Sequence, residues 1–140
     1  MTVNAFSEEW ATQFKDEVNK SAAYKAAGKG WKWTVGLVVE AEPDKNFPES
    51  RGLVMDLFDG DARDIRVGTA GDAQKCDFVI TAPYSRWKQV ATKELDATKG
   101  MLQGKLKLKG DLPTIVRYQK ASQELTECTT RIPTQWPDEQ

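Results

Sequence analysis

A chain of 140 residues suits one domain, and 39% hydrophobic with 29% charged residues describes a globular protein able to bury one core. Twenty basic against twenty-one acidic residues leave a net charge of −1, without the basic excess that nucleic-acid binders use to neutralise phosphates. Histidine is absent, which excludes Ser-His-Asp and Cys-His catalysis and removes the commonest transition-metal ligand.

Residues 7–27 predict a helix. Ser7 suits the N-cap, Glu8 and Glu9 suit the positive end of the helix dipole, and Trp10, Phe14 and Val18 recur every fourth residue. Residues 31–41 then alternate as a strand. Trp31, Trp33, Val35, Leu37, Val39 and Ala41 share one face, and Val38 is the lone apolar residue on the wet side. A loop with two prolines leads to residues 51–70, read as strand, turn, strand around Asp59-Gly60, a dipeptide favoured in tight hairpins. Leu53, Met55 and Leu57 line the first arm, with Ile65 and Val67 on the second. After residues 71–75, residues 76–82 read as a fourth strand with Cys76, Phe78 and Ile80 on one side.

After Pro83, a helix running to residue 95 presents Trp87, Val90, Ala91 and Leu95. Residues 96–104 form a short, partly helical connector. Residues 105–109, "KLKLK", read as a fifth strand with Leu106 and Leu108 inward and Lys105, Lys107 and Lys109 in water. Lysines on a short strand also discourage edge-to-edge pairing. A last helix spans 112 to about 125, with Asp111 as N-cap and Pro113 in its first turn. Residues 126–140 read as a loosely held extension to a domain over residues 1–125. Helices segregated from a mainly antiparallel sheet make the chain α+β.

No apolar run approaches the roughly 18 residues of a membrane span. "MTVNAFSEEWATQF" lacks a basic region followed by an apolar one, and "TQWPDEQ" carries no lipidation box or peroxisomal address, so a cytoplasmic location is expected. Cys76 and Cys128 are too few for a disulfide framework and lack metal-ligand spacing; both read as reduced thiols, Cys76 as a small core residue.

Three segments resemble the sterol carrier protein 2 family, and the likeness spans residues 7–125. Cys76-Asp77-Phe78-Val79-Ile80-Thr81 matches a small residue, Asp and an alternating strand, followed by a helix with an aromatic at Trp87. Gln103, Gly104, Lys105, Leu106, Lys107, Lys109 and Gly110 fit the family's Gln-Gly-Lys-Leu-Lys-apolar-Lys-Gly. Val54 through Gly60 is similar to its hairpin. Pro83 departs from the pattern, standing where the family has a polar helix-capping residue, and the residues past 125 replace a short peroxisomal address.

The resemblance implies a twisted five-stranded sheet, helices packed on one face, and an apolar tunnel between the layers. It also implies non-catalytic binding and transfer of a fatty acid, fatty acyl-CoA or sterol-like lipid, with no metal and no cofactor. A chain of about fifteen methylenes offers roughly 12 kcal/mol at about 0.8 each, before ordering costs, so micromolar binding needs no ionic contact. Residues expected to line the tunnel are Trp33, Val35, Phe78, Ile80, Leu106 and Leu108 on the sheet. Trp87, Val90, Leu95, Met101, Leu102, Ile115 and Val116 join them from the helices and connector, and Gln103 is a candidate for a polar head at the mouth. Met55 and Met101 are adaptable fillers.

Two other readings use the same chain. An acid–base isomerase or cyclase would need a buried carboxylate of raised pKa, for which Asp56 and Asp77 are the strand candidates, although both face away from the core on this register. An accessory subunit would keep the tunnel and hand its hydrophobic content to a partner enzyme; transient contact with a membrane is compatible with either carrier.

Overall fold

In a computed structural model describing residues 2–140, the Trp10 backbone N–H donates to Ser7 Oγ and starts α1 (Glu8–Lys20), whose apolar stripe of Trp10, Ala11, Phe14 and Val18 is buried. The helix predicted over 7–27 is divided at Ser21, which turns to an extended conformation and caps α2 (Ala22–Ala27) by accepting from the Tyr24 N–H. Serine can compete for backbone hydrogen bonds in this way wherever a helix ends or restarts.

Five strands follow the predicted order: β2 (Thr34–Glu40), β3 (Arg51–Phe58), β4 (Asp61–Gly68), β5 (Phe78–Pro83) and β6 (Lys107–Lys109), preceded by a short β1 (Val3–Asn4). They are arranged β4-β3-β2-β5-β6, antiparallel throughout except for the parallel β2–β5 pair. Asp59 and Gly60 both take positive φ, 50° and 88°, as a two-residue hairpin turn matching the strand twist requires. The register sets Val35 beside Met55 and Phe78, and Leu37 beside Leu53 and Ile80, so one face of three strands is continuously apolar.

The opposite face is not all wet, and Val38 is covered there rather than exposed. Residues 71–75, to which the sequence pattern assigned no element, lie mostly in α3 (Ala70–Gln74), closed by a capping box between Thr69 and Asp72. Val38, Ala73 and Val79 form a second, small core beneath it. This approach depends on glycine: a Cβ on Gly36 would lie 2.0 Å from the Ala73 carbonyl oxygen. A five-residue helix with one buried alanine has no periodicity to read.

On the main face, α4 (Tyr84–Ala91) begins after Pro83, which offers no side-chain cap; Glu42 Oε1 from the loop after β2 accepts from the Ser85 N–H at 2.6 Å instead. The helix stops at Ala91 rather than near 95, and Lys93 takes φ 68°. Next come α5 (Ala97–Leu102), capped by Asp96, and α6 (Leu112–Arg117), capped by Asp111. The predicted last helix breaks at Tyr118 and resumes as α7 (Gln119–Thr130), running past residue 125.

Residues 126–140 are held, not loose. Cys128 and Ile132 are buried, and β7 (Thr134–Gln135) pairs in parallel with β1. Trp136 meets the Phe6 ring at 5.8 Å. Tyr84 donates to Asp138 Oδ1 at 2.6 Å, and Lys88 Nζ lies 2.9 Å from Asp138 Oδ2. Cys128, not Cys76, is the core thiol; Cys76 is half-buried in the turn that precedes β5.

A candidate ligand cavity between sheet and helices

Between the main sheet face and the helices lies an apolar cavity of about 120 Å³. Its floor is Val35 and Leu37 of β2, Met55 and Leu57 of β3, and Ile80 of β5. Large aromatics line it from the helices: Trp10 and Phe14 from α1, Tyr24 from α2, and Trp87 from α4, whose indole N–H donates to the Val38 carbonyl at 2.9 Å. Phe6, Trp31 and Tyr118 complete the aromatic wall.

The α7 wall is made mostly of small side chains. Ala121, Ser122, Leu125, Thr126 and Thr129 of α7 face the cavity with the 3–4 residue spacing of one helix face. The hydroxyls of Thr126 and Thr129 donate to backbone carbonyls, of Ser122 at 3.4 Å and of Ala91 at 2.9 Å respectively. Their polar atoms are thus engaged by the backbone rather than demanding a polar ligand. Met101 of α5 and the α7 residues other than Ala121 are only half-buried, whereas Phe6, Trp10, Phe14, Tyr24 and Trp87 are deeply buried. Burial pushes the Tyr24 phenol far above its ordinary pKa, aided by nearby Cys128 and Asp61, so it remains an un-ionised hydroxyl at neutral pH.

Of the predicted lining residues, Val35, Ile80, Trp87, Val90, Met101 and Ile115 are brought together around the cavity. Trp33 and Phe78 instead pack with Trp31 in an aromatic cluster, their rings 5.0 Å from that of Trp31. Leu106 is buried close to Gly100, while Leu95 and Leu108 are half-buried at the core's edge. Leu102 and Val116 correct the expectation most clearly, being 61% and 43% exposed. Gln103, the expected head-group contact, is also exposed.

Two groups stand out among the wall residues that the sequence reading did not assign. Trp10, Phe14, Leu37, Met55 and Leu57 already stood on the core faces of their elements, so their periodicity carried the signal. The α7 stripe escapes that reading because its small and hydroxyl side chains look polar, and because it runs past the expected end of the last helix.

The strand carboxylates offered for acid–base chemistry are engaged elsewhere. Asp56 pairs with Arg63 at 3.0 Å, and Asp77 accepts from the Thr34 backbone N–H at 3.0 Å and hydroxyl at 3.2 Å. Neither belongs to the cavity wall. Among the described residues, no cluster of Cys, Asp and Glu side chains converges as a metal site, and no helix is long and apolar enough to cross a membrane.

A comparison with curated protein sequences finds no match. Solved structures do match. A crystal structure of sterol carrier protein 2 shares 31% identity and superposes with a TM-score of 0.84, covering 92% of this chain and 99% of the other. The solution structure of a conserved hypothetical protein from Thermus thermophilus, described as possibly a sterol carrier protein, shares 29% identity at a TM-score of 0.83, over 96% of this chain and 94% of that one. At 17% identity and a TM-score of 0.56, apo sterol carrier protein 2 from Yarrowia lipolytica supports the fold alone, over 86% of this chain and 88% of its own. The sequence profile of the SCP-2 sterol transfer family matches residues 11–123. The chain belongs to the SCP-2 sterol transfer family.

Proposed function

We propose that this protein binds one lipid-like molecule in the cavity between sheet and α7 and carries it without chemical change. The observation that carries this reading is the size contrast across the gap, aromatic rings from the other helices against a wall of Ala, Ser and Thr with one leucine on α7, in a chain of a lipid-transfer family. The apolar wall supplies the driving force, since each buried methylene contributes about 0.8 kcal/mol.

The cavity's volume limits what enters without movement. An engineered apolar cavity of about 150 Å³ accepts benzene, so about 120 Å³ accommodates a comparable apolar fragment and no more. A longer acyl chain or a fused ring system must widen it. Widening is easiest between α5 and α7, where the wall side chains are half-buried.

Trp10, Trp31 and Trp87 in the wall provide the test. An environment-sensitive fluorescent fatty acid is titrated into dilute protein, and energy transfer from tryptophan is read. Saturation near one per chain, with displacement by unlabelled acyl chains or sterols, is the expected result. Linear uptake without saturation would overturn the proposal.

A further inference from the structure

Three large apolar side chains are exposed among the described residues, Phe58, Val116 and Leu102, and Leu102 is the most exposed of them. It ends α5, where the chain turns back through Gly104 at φ 76° and the Lys105 N–H donates to the Gly100 carbonyl at 2.8 Å. This helix-ending turn leaves residues 102–105 as an exposed tip, and a Cβ on Gly104 would meet nothing within 4 Å. A lone exposed leucine is ordinary; the surroundings of Leu102 are not.

Lys99 lies three residues before Leu102, on the same side of α5. Lys105 closes the tip, and Lys107 and Lys109 continue along β6, an edge strand of the sheet. From Ala97 to Gly110 the chain has four lysines and no acidic residue, although its net charge is −1. All four are exposed, and among the described residues none of them forms an ion pair. Lys20, Lys25, Lys88, Lys93 and Lys120, by contrast, each meet a carboxylate. Unneutralised positive charge is therefore gathered around one leucine in water.

That pairing fits a surface with anionic groups above and hydrocarbon beneath, where ammonium groups stay with the phosphates and the leucine enters below them. A nucleic acid offers phosphates but no hydrocarbon for the leucine. A second copy would set lysines against lysines. We propose that the tip at Leu102, with Lys99, Lys105, Lys107 and Lys109, docks the protein on an anionic lipid bilayer. Docking stands on the tip alone; its use rests on the carrier reading, because Met101 of the cavity wall precedes Leu102 and is brought to the bilayer with it.

The full chain is sedimented with vesicles of phosphatidylcholine, or of phosphatidylcholine with about one-third phosphatidylserine. Partition to the anionic vesicles is expected to be at least about tenfold stronger, since one lysine near such a surface is worth about fivefold. Salt at about 0.5 M removes the difference by screening. Lys99→Gln/Lys105→Gln lowers partition by about tenfold, and Leu102→Ser by about threefold. Lys45→Gln/Lys75→Gln, at two exposed lysines in the loop after β2 and at the end of α3, makes the same change in net charge and costs less than about twofold. All three variants keep their affinity for the fluorescent fatty acid within about twofold. Folded tip variants that partition like the wild type, or equal losses from both lysine pairs, overturn the proposal. Failure of the wild-type protein to prefer anionic vesicles overturns it too, and leaves the tip to a second copy or an acidic protein. A fatty-acid titration that does not saturate, with vesicle docking intact, overturns the carrier reading alone.

Discussion

Replacing Ala121 by Leu tests the cavity from the protein side. Apolar space of about 120 Å³ costs a fold about 3 kcal/mol when no ligand fills it, at roughly 24 cal/mol per Å³. That is a large share of the roughly 5–15 kcal/mol that holds a domain together. Ala121 sits in the cavity wall on α7 and is itself buried. Leucine there adds three carbons to the gap, offering about 2.4 kcal/mol at about 0.8 per buried carbon. Ordering its side chain returns about 0.5–1 kcal/mol, and the helix propensities of Ala and Leu are close enough to leave the balance unchanged. Ala121→Leu is therefore expected to raise stability by about 1.5 kcal/mol, seen in urea as a higher midpoint with the same slope. The same variant weakens uptake of the fluorescent fatty acid by about tenfold or more. Destabilisation by about 1 kcal/mol or more, as overpacking produces, together with undiminished binding, would refute the reasoning: the gap would be filled by side chains and the ligand held elsewhere.

Three further outcomes follow from the same geometry. Gly36→Ala drives a methyl group to 2.0 Å from the Ala73 carbonyl oxygen, so α3 must lift; a loss of about 1–3 kcal/mol in chemical denaturation is expected, and a neutral result would show that α3 is not seated on β2. Leu102→Ser, at a position 61% exposed, should change stability by less than about 0.5 kcal/mol and affinity for the fluorescent fatty acid by less than about twofold, whereas a tenfold loss would place the ligand at the outer end of α5. Acid should loosen the C-terminal strap. Burial opposes ionisation of Asp138, but hydrogen bonds from Tyr84 and Lys88, with the Lys88 charge, outweigh it and hold the carboxyl below its ordinary value. Its contribution is therefore complete above the unfolded carboxylate pKa of about 3.9 and is lost as pH falls through the lower folded value. Exchange protection of the Val3 and Ala5 amides, which donate to Pro133 and Gln135, should hold from about pH 8 to 5 and fall only in stronger acid; Tyr84→Phe should move that fall to higher pH, and a loss already complete at about pH 5 would remove Asp138 as its cause.

What could be read from the chain and what could not divides along a physical line. Ser7 ahead of Glu8 and Glu9 and Asp59-Gly60 between two alternating arms are each decided within a few residues and each appears where it was expected, while the leucines alternating with lysines at 105–109 give a strand over Lys107–Lys109 alone, with Leu106 buried just before it. Trp33 and Phe78 show the first limit. They share a face with Val35 and Ile80, but same-face neighbours on a strand are separated by about 6.6 Å, enough to carry both out of the cavity and into the cluster around Trp31. Alternation identifies the side of a sheet, not the position along it. Leu102 and Val116 show the second limit: each lies in a six-residue helix, under two turns, too short for a 3.6-residue period to establish which face is buried.

The cavity itself marks the third limit, and it explains why the family resemblance was needed. Trp10, Phe14, Trp87 and the α7 stripe would each satisfy the same helical pattern if the space between them were closed. Whether a gap remains depends on the summed volumes of side chains from opposite ends of the sequence, here Phe6 near its start and Thr129 near its finish. Hydrophobic periodicity records which residues leave water and is silent on whether they meet. Here they do not quite meet, because apart from Leu125 α7 supplies Ala, Ser and Thr where a packed core would hold larger side chains, and because its two threonine hydroxyls turn back to their own helix and to α4. The residues that looked least like a binding site in the sequence are the ones that leave room for a ligand.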